Sequence, residues 1–253
     1  TWNVNSLRVR LPQVLDWLKH HGPEVLALQE TKLPDADFPE AELRAAGYHA
    51  VYTGQKTYNG VALLSRLPPE TVERDPPGLN DPQKRLIAAS YGGLRVVNVY
   101  VPNGEALSSD KYVYKLGWLG TLRDYLAQAL KRHPRLVLLG DFNVAPEDRD
   151  VHDPKVWEGA VLVSEPERQA FRALIALGLA DAFRLTEQPP QSFSWWDYRM
   201  GGFRRNHGLR IDHILLSAEL TGRCRACAID TQPRALERPS DHAPVLAELD
   251  PGS

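Results

Sequence analysis

The chain has 253 residues, 43% of them hydrophobic and 25% charged, with a formal net charge of -2. That composition suits a globular chain with a sizeable core and excludes a collagenous, low-complexity or globally basic protein. A nucleic-acid partner would have to be met by a local patch or through a metal ion, and no apolar run is long enough to span a membrane.

The chain opens on Thr1-Trp2-Asn3-Val4-Asn5, which reads as a strand end with Asn3 and Asn5 on one side, so native residues are expected before it. Pro12 suits the first position of a helix running to about His20, with Val14, Leu15 and Leu18 on its apolar face. Val25 to Leu28 is a short buried strand that ends in Gln29-Glu30-Thr31-Lys32, and Val61 to Ser65 is another. Pro68 to Pro82, rich in Pro, Asp and Gly, is expected to be a surface connection. Leu86 to Tyr91, the turn Gly92-Gly93 and Leu94 to Val101 predict a hairpin. Tyr100, at its end, suits either the core or a phenol aimed at a substrate.

A long helix is predicted from Asp110 to His133, with Leu116, Leu119, Leu126 and Leu130 inward. Pro134 ends it. The run Leu136-Val137-Leu138-Leu139-Gly140-Asp141-Phe142-Asn143 then reads as a buried strand with a carboxylate and a carboxamide just past its end. Glu147 to Pro154, with its carboxylates and His152, is expected to be a solvated loop. Ser164 and Glu167 form a capping-box pattern opening a helix to about Leu177.

Phe193 to Gly208 interleaves Trp195, Trp196, Tyr198 and Phe203 with Arg199, Arg204 and Arg205. That mixture suits a nucleic-acid contact loop, and equally a hairpin with aromatics on the core face and arginines in water. Ile211 to Leu216 is a strand carrying an awkward carboxylate, Asp212, which requires a partner; Ser240-Asp241-His242 offers one, ahead of a last strand, Val245 to Leu249. Cys224 and Cys227 lack the second pair a structural zinc would need. They are expected to be reduced thiols in a surface segment, and so little Cys fits a cytoplasmic protein.

Asn3, Glu30, Tyr100, Asp141, Asn143, Asp212, Asp241 and His242 all sit in or just past short apolar strands, or in loops bordering them. Gathered at one edge, they supply hard oxygen ligands, a base, an imidazole and a phenol. That is equipment for metal-assisted attack of water on a phosphodiester. The motifs T-W-N-V-N-S-L-R (1–8), L-Q-E-T-K (28–32), N-G-V-A-L-L-S-R (59–66), Y-V-P-N-G (100–104), G-D-F-N-V-A (140–145), S-W-W-D-Y-R (194–199), G-L-R-I-D-H-I-L (208–215) and S-D-H-A-P (240–244) follow in order. On these the chain resembles the exonuclease III family of apurinic/apyrimidinic endonucleases, within the endonuclease/exonuclease/phosphatase superfamily.

The resemblance implies a four-layer α/β sandwich, two mixed β-sheets face to face and flanked by helices, as one domain over 1–253. It implies Mg²⁺ (or Mn²⁺) bound principally by Glu30 with Asn3, with Asp241, Asp141, Asn143 and His242 completing the set from which ligands are drawn. Asp141 would aim and deprotonate the water, held by Asn143 with Asn103 nearby. His242, fixed by Asp212, and Tyr100 would reach the phosphate. Trp195, Leu209 and Ile211 would wall a pocket for a flipped-out abasic sugar, and Arg199, Met200, Phe203, Arg204 and Arg205 would meet the DNA. The implied partner is duplex DNA with abasic or 3′-blocked sites, acted on by a monomer. Asn5 stands where some members carry Asp, which weakens the case for a second metal, and Leu209 where some carry Trp, which implies a looser pocket. Two other readings are a relative acting on small or lipid phosphoesters and a catalytically silent DNA-binding protein.

Overall fold

The computed structural model describes residues 1–74, 78 and 81–250. The chain runs through β1 (Trp2–Asn3), α1 (Leu7–His21), β2 (Val25–Gln29), α2 (Glu40–Ala45), β3 (His49–Thr53) and β4 (Val61–Ser65). Next come β5 (Thr71–Glu73), β6 (Leu86–Tyr91), β7 (Leu94–Tyr100), α3 (Asp110–Arg132), β8 (Leu136–Asp141), α4 (Pro154–Trp157), α5 (Glu165–Ile175) and β9 (Leu179–Asp181). The last third holds β10 (Trp195–Trp196), β11 (Gly208–Leu209), β12 (Asp212–Ser217), α6 (Ala218–Thr221), β13 (Cys224–Ile229) and β14 (Val245–Leu249).

Two mixed sheets form, with strand orders β1-β2-β4-β3 and β5-β6-β7-β8-β12-β9. β1–β2 and β7–β8 are the parallel pairs. Thr1 and Val245 exchange backbone hydrogen bonds of 2.8 and 2.9 Å, so the β13–β14 hairpin extends the first sheet beyond β1. Strand alternation sends one set of side chains to each face. In β2, Leu26 and Leu28 meet Val14 and Leu18 of α1 on the outside, while Ala27 faces the other sheet. In β8, Leu136 and Leu138 pack under α3 and α5, while Val137 and Leu139 meet Val61, Leu63 and Val245 between the sheets. Both faces of β8 are therefore covered, which is why its sequence is a continuous apolar run. The layers are helix, sheet, sheet, helix.

Most predicted elements stand where the sequence puts them, and the departures have physical causes. α1 begins at Leu7 rather than Pro12, so Pro12 lies inside the helix. Its first turn is anchored by tertiary bonds instead of a cap: the Ser6 and Leu7 amides donate to Glu30 O at 2.8 Å and Thr31 O at 3.0 Å. The segment from Pro68 to Pro82 contains β5, which pairs antiparallel with β6; residues 75–77, 79 and 80 lie outside the described residues. Glu147 to Pro154 is not uniformly solvated. Asp150 is fully buried and pairs with Arg210 and Arg184, because a buried guanidinium requires a counter-charge. Cys227 lies in the core between the sheets, not in a surface segment, and both cysteines are free thiols. Among the described residues, no helix is long and apolar enough to cross a membrane.

Candidate active site

Sheet register assembles the site. Asp141, the last residue of β8, is the ladder partner of Tyr100 on β7 and of Asp212 on β12. Neighbours across a ladder share a face, so three functional side chains line one edge of the sheet. Gly140 permits this approach: its φ is 146°, and a Cβ there would lie 1.9 Å from Val99 O. The other sheet supplies Asn3 from the end of β1 and Glu30 from just past β2, where Glu30 holds a left-handed φ of 51°. Asn5, Lys32, Asn59 and Asn143 also have positive φ. Backbone strain of this kind collects at functional sites.

Asp141 is 1% exposed. Its Oδ1 accepts the Asn143 backbone amide at 2.9 Å, and its Oδ2 accepts the Asn3 side-chain amide at 2.9 Å. The same Asn3 nitrogen donates to Glu30 Oε1 at 2.8 Å, which joins the two carboxylates. His242 Nδ1 donates to Asp212 Oδ2 at 2.9 Å, and its Nε2 stands 3.7 Å from Asp141 Oδ2. The loop carrying His242 is fixed by Ser240 Oγ donating to Asn3 O at 2.7 Å and by the bridge to Trp195. Asn103 donates to Asn143 Oδ1 at 3.2 Å, and the Asn143 side-chain nitrogen donates to Val101 O at 2.9 Å.

Burial lifts the Asp141 carboxyl to about 7, against the pull of the His242 imidazolium and the Asn3 and Asn143 donors. Burial alone would lower His242, but the Asp212 and Asp141 carboxylates outweigh it and raise the imidazole to about 10. Burial, reinforced by Glu30 and Asp141, lifts the Tyr100 phenol well above its ordinary range, so it stays an O–H donor. The Arg85 guanidinium lies 4.7 Å from the Tyr100 ring centroid. Tyr100 thus packs against the core between the sheets with its hydroxyl beside Glu30.

Glu30, Asp141 and His242 offer ligand atoms within 4.8 Å of one another. With His242 protonated, the oxygen donors of Glu30, Asp141 and Asn3 are the ones fitted to a hard divalent cation. Lys32 Nζ, 2.9 Å from Glu30 Oε2, already sets a positive charge there. Asp241 stands one step away: its oxygens accept from Asn5 Nδ2 and Trp195 Nε1, each at 3.0 Å. Lys32 was legible only as part of a motif; its contacts needed the fold.

Trp195 lies half-buried on an apolar cluster containing Leu209 and Ile211, both fully buried, and its ring meets that of Trp157 edge-on at 6.3 Å. The loop between β10 and β11 presents Met200, 82% exposed, with Arg204 and Arg205 also in solvent. Arg199 is exposed but forked onto Asp197 at 2.7 to 3.2 Å. Phe203 departs from expectation: it packs edge-on against buried Trp196 at 5.1 Å and holds the loop from beneath.

The Endonuclease/Exonuclease/phosphatase family model matches residues 1–242. Exodeoxyribonuclease III of Haemophilus influenzae is 38% identical over 98% of both chains. Among solved structures, the 3′ phosphatase NExo from Neisseria, bound to a product DNA hairpin, is 50% identical with a TM-score of 0.97, covering 98% of this chain and 97% of its own. An AP endonuclease from Archaeoglobus fulgidus is 41% identical with a TM-score of 0.94, at the same coverages. By sequence, fold and site geometry together, the chain belongs to the endonuclease/exonuclease/phosphatase family and stands with its exodeoxyribonuclease III-type members.

Proposed function

We propose that the chain is a metal-dependent DNA repair nuclease of exonuclease III type. It hydrolyses the phosphodiester 5′ to an abasic site to leave a 3′-hydroxyl, and trims or unblocks 3′ ends as an exonuclease and phosphatase. It works on duplex DNA as a monomer. One observation carries the reading: a buried carboxylate, Asp141, poised between an imidazolium and a second carboxylate on the edge shared by both sheets.

Asp141 Oδ2 accepts the proton of the attacking water, a task suited to a group titrating near neutrality. Asn143 fixes the other carboxylate oxygen through its backbone amide. His242 donates from Nε2 to a non-bridging phosphate oxygen, and Tyr100 donates its hydroxyl to the same group. Both donors are set before the reaction begins, so little reorganisation is needed as the phosphoryl group gains charge. Glu30, with Asn3 and Asp141 beside it, would hold Mg²⁺ or Mn²⁺, which when bound withdraws charge from the phosphate. Trp195, half-buried over Leu209 and Ile211, would meet the flipped sugar, favouring sites without a base.

The decisive experiment is incision of a duplex bearing a tetrahydrofuran abasic analogue, with Mg²⁺ and with EDTA. Nicking 5′ to the analogue that EDTA abolishes is expected; no metal-dependent nick sinks the reading. Matched 3′-phosphate and intact duplexes measure the 3′-end activities. With Leu209 in the pocket wall, Mg²⁺-dependent 3′ trimming of intact duplex is expected too.

A further inference from the structure

Lys115 sits on the inward face of α3 and is fully buried. Its neighbours on that face are Tyr112, Trp118, Leu119 and Leu122, so packing alone would favour an apolar residue. Its ammonium is saturated. It donates to the Glu167 carboxylate, to Asn103 O at 3.0 Å and to Asn143 O at 2.6 Å. Two of those acceptors are main-chain carbonyls of site residues, from the loops that follow β7 and β8. Glu167 is itself held by the Leu162 and Ser164 amides at 3.0 and 3.1 Å, at the start of α5.

These bonds bear on the water-aiming unit. Asn143 has a left-handed φ of 49°, and its backbone amide fixes Asp141 Oδ1. The Asn103 side chain reaches Asn143 Oδ1 across the gap between the loops. Gly104 passes so close that a Cβ there would lie 3.2 Å from Lys115 Cδ. Without the ammonium, the two carbonyls lose the donor they share, and the main chains of the two loops are no longer tied through it.

We propose that Lys115 is a positioning residue for hydrolysis: from beneath the site it pins the Asn103 and Asn143 carbonyls, and so holds the Asn143 amide against Asp141. It touches no substrate. The proposal rests on the nuclease reading above, and misplacing a catalytic group by about 1 Å can cost on the order of 100-fold.

The single variant K115M leaves Glu167 buried without its counter-charge and is poorly suited to fold. K115M/E167Q removes the pair together. It should stay folded, with its melting temperature lowered modestly by the two unpaired carbonyls, and on the tetrahydrofuran duplex keep its KM nearly unchanged while kcat falls on the order of 10–100-fold. K115Q/E167Q, which retains a neutral donor, should recover part of kcat. Wild-type kcat in folded K115M/E167Q overturns the proposal, as does a K115Q/E167Q kcat no higher than that of K115M/E167Q. Failure of K115M/E167Q to fold overturns it too, because Lys115 would then serve the core. Absence of nicking by the wild-type chain would instead sink the nuclease reading.

Discussion

Asp141 is asked to be an anion in a place that resists one. Burial raises its carboxyl to about 7, while His242 and the Asn3 and Asn143 donors favour the charged form. On the proposed mechanism, Asp141→Asn keeps the shape and removes the base. It should lower kcat by about 10²–10⁴-fold, the range a positioned base contributes, with affinity for abasic duplex largely retained. Equal collapse of binding, measured by fluorescence anisotropy, would make Asp141 structural. His242 carries the opposite logic. The Asp212 and Asp141 carboxylates hold it protonated up to about 10, so activity that depends on the imidazolium persists below that pH and fades above it. Removing the Asp212 charge lowers the imidazole pKa, so the alkaline limb of kcat against pH should move down by about 1–3 units in Asp212→Asn. An unmoved limb would mean that another group sets it.

The elements differ in how much they depend on local sequence. β8 and α5 are legible because each is specified twice. Leu136 to Leu139 is apolar on both faces, and the Ser164–Glu167 capping box is formed as its spacing predicts. α1 is not, because its first turn is held by Glu30 and Thr31 rather than by a cap. The loop between β10 and β11 shows the same division. Its arginines stand in solvent as expected, but Phe203 turns inward because Trp196 and Arg234 offer it a partly buried seat. Arg204 and Arg205 are therefore the loop's exposed positive charges, and under the proposed function they are the groups expected to meet DNA phosphates. Replacing both with Ala should weaken binding uniformly across duplex sequences and reduce the salt slope of log K by about 0.9 for each phosphate that is no longer neutralised. A titration of affinity against KCl reads this directly; an unchanged slope places the phosphate-binding groups elsewhere.

At the scale of the molecule, the site exists only because two sheets share an edge. Glu30 and Asn3 belong to one sheet, Asp141, Tyr100 and Asp212 to the other. A buried polar pin sets their relative position: Gln29 donates to Asn98 Oδ1 at 2.7 Å, and Asn98 donates to Leu28 O and Ala62 O at 2.9 Å each. Asn98→Leu removes these partners inside the core. It should cost about 1–3 kcal/mol for unsatisfied groups, read by urea unfolding, and lower kcat through the Glu30–Asp141 spacing. A stable variant of full activity would show that apolar packing alone aligns the sheets.

The sequence by itself determined β2, β4, β6, β7, β8, β12 and β14, the long helix and the set of polar residues at strand ends, because periodicity, breakers and turn residues are local and record which face is buried. It also marked Asp212 as a carboxylate in need of a partner. It did not say that Asp212 lies opposite Asp141, that Asp241 is taken up by Asn5 and Trp195, or that Lys115 is turned beneath the site. Those depend on register between strands far apart in the chain and on which charges burial forces together. Only tertiary structure decides them, since a buried charge takes its meaning from its neighbours.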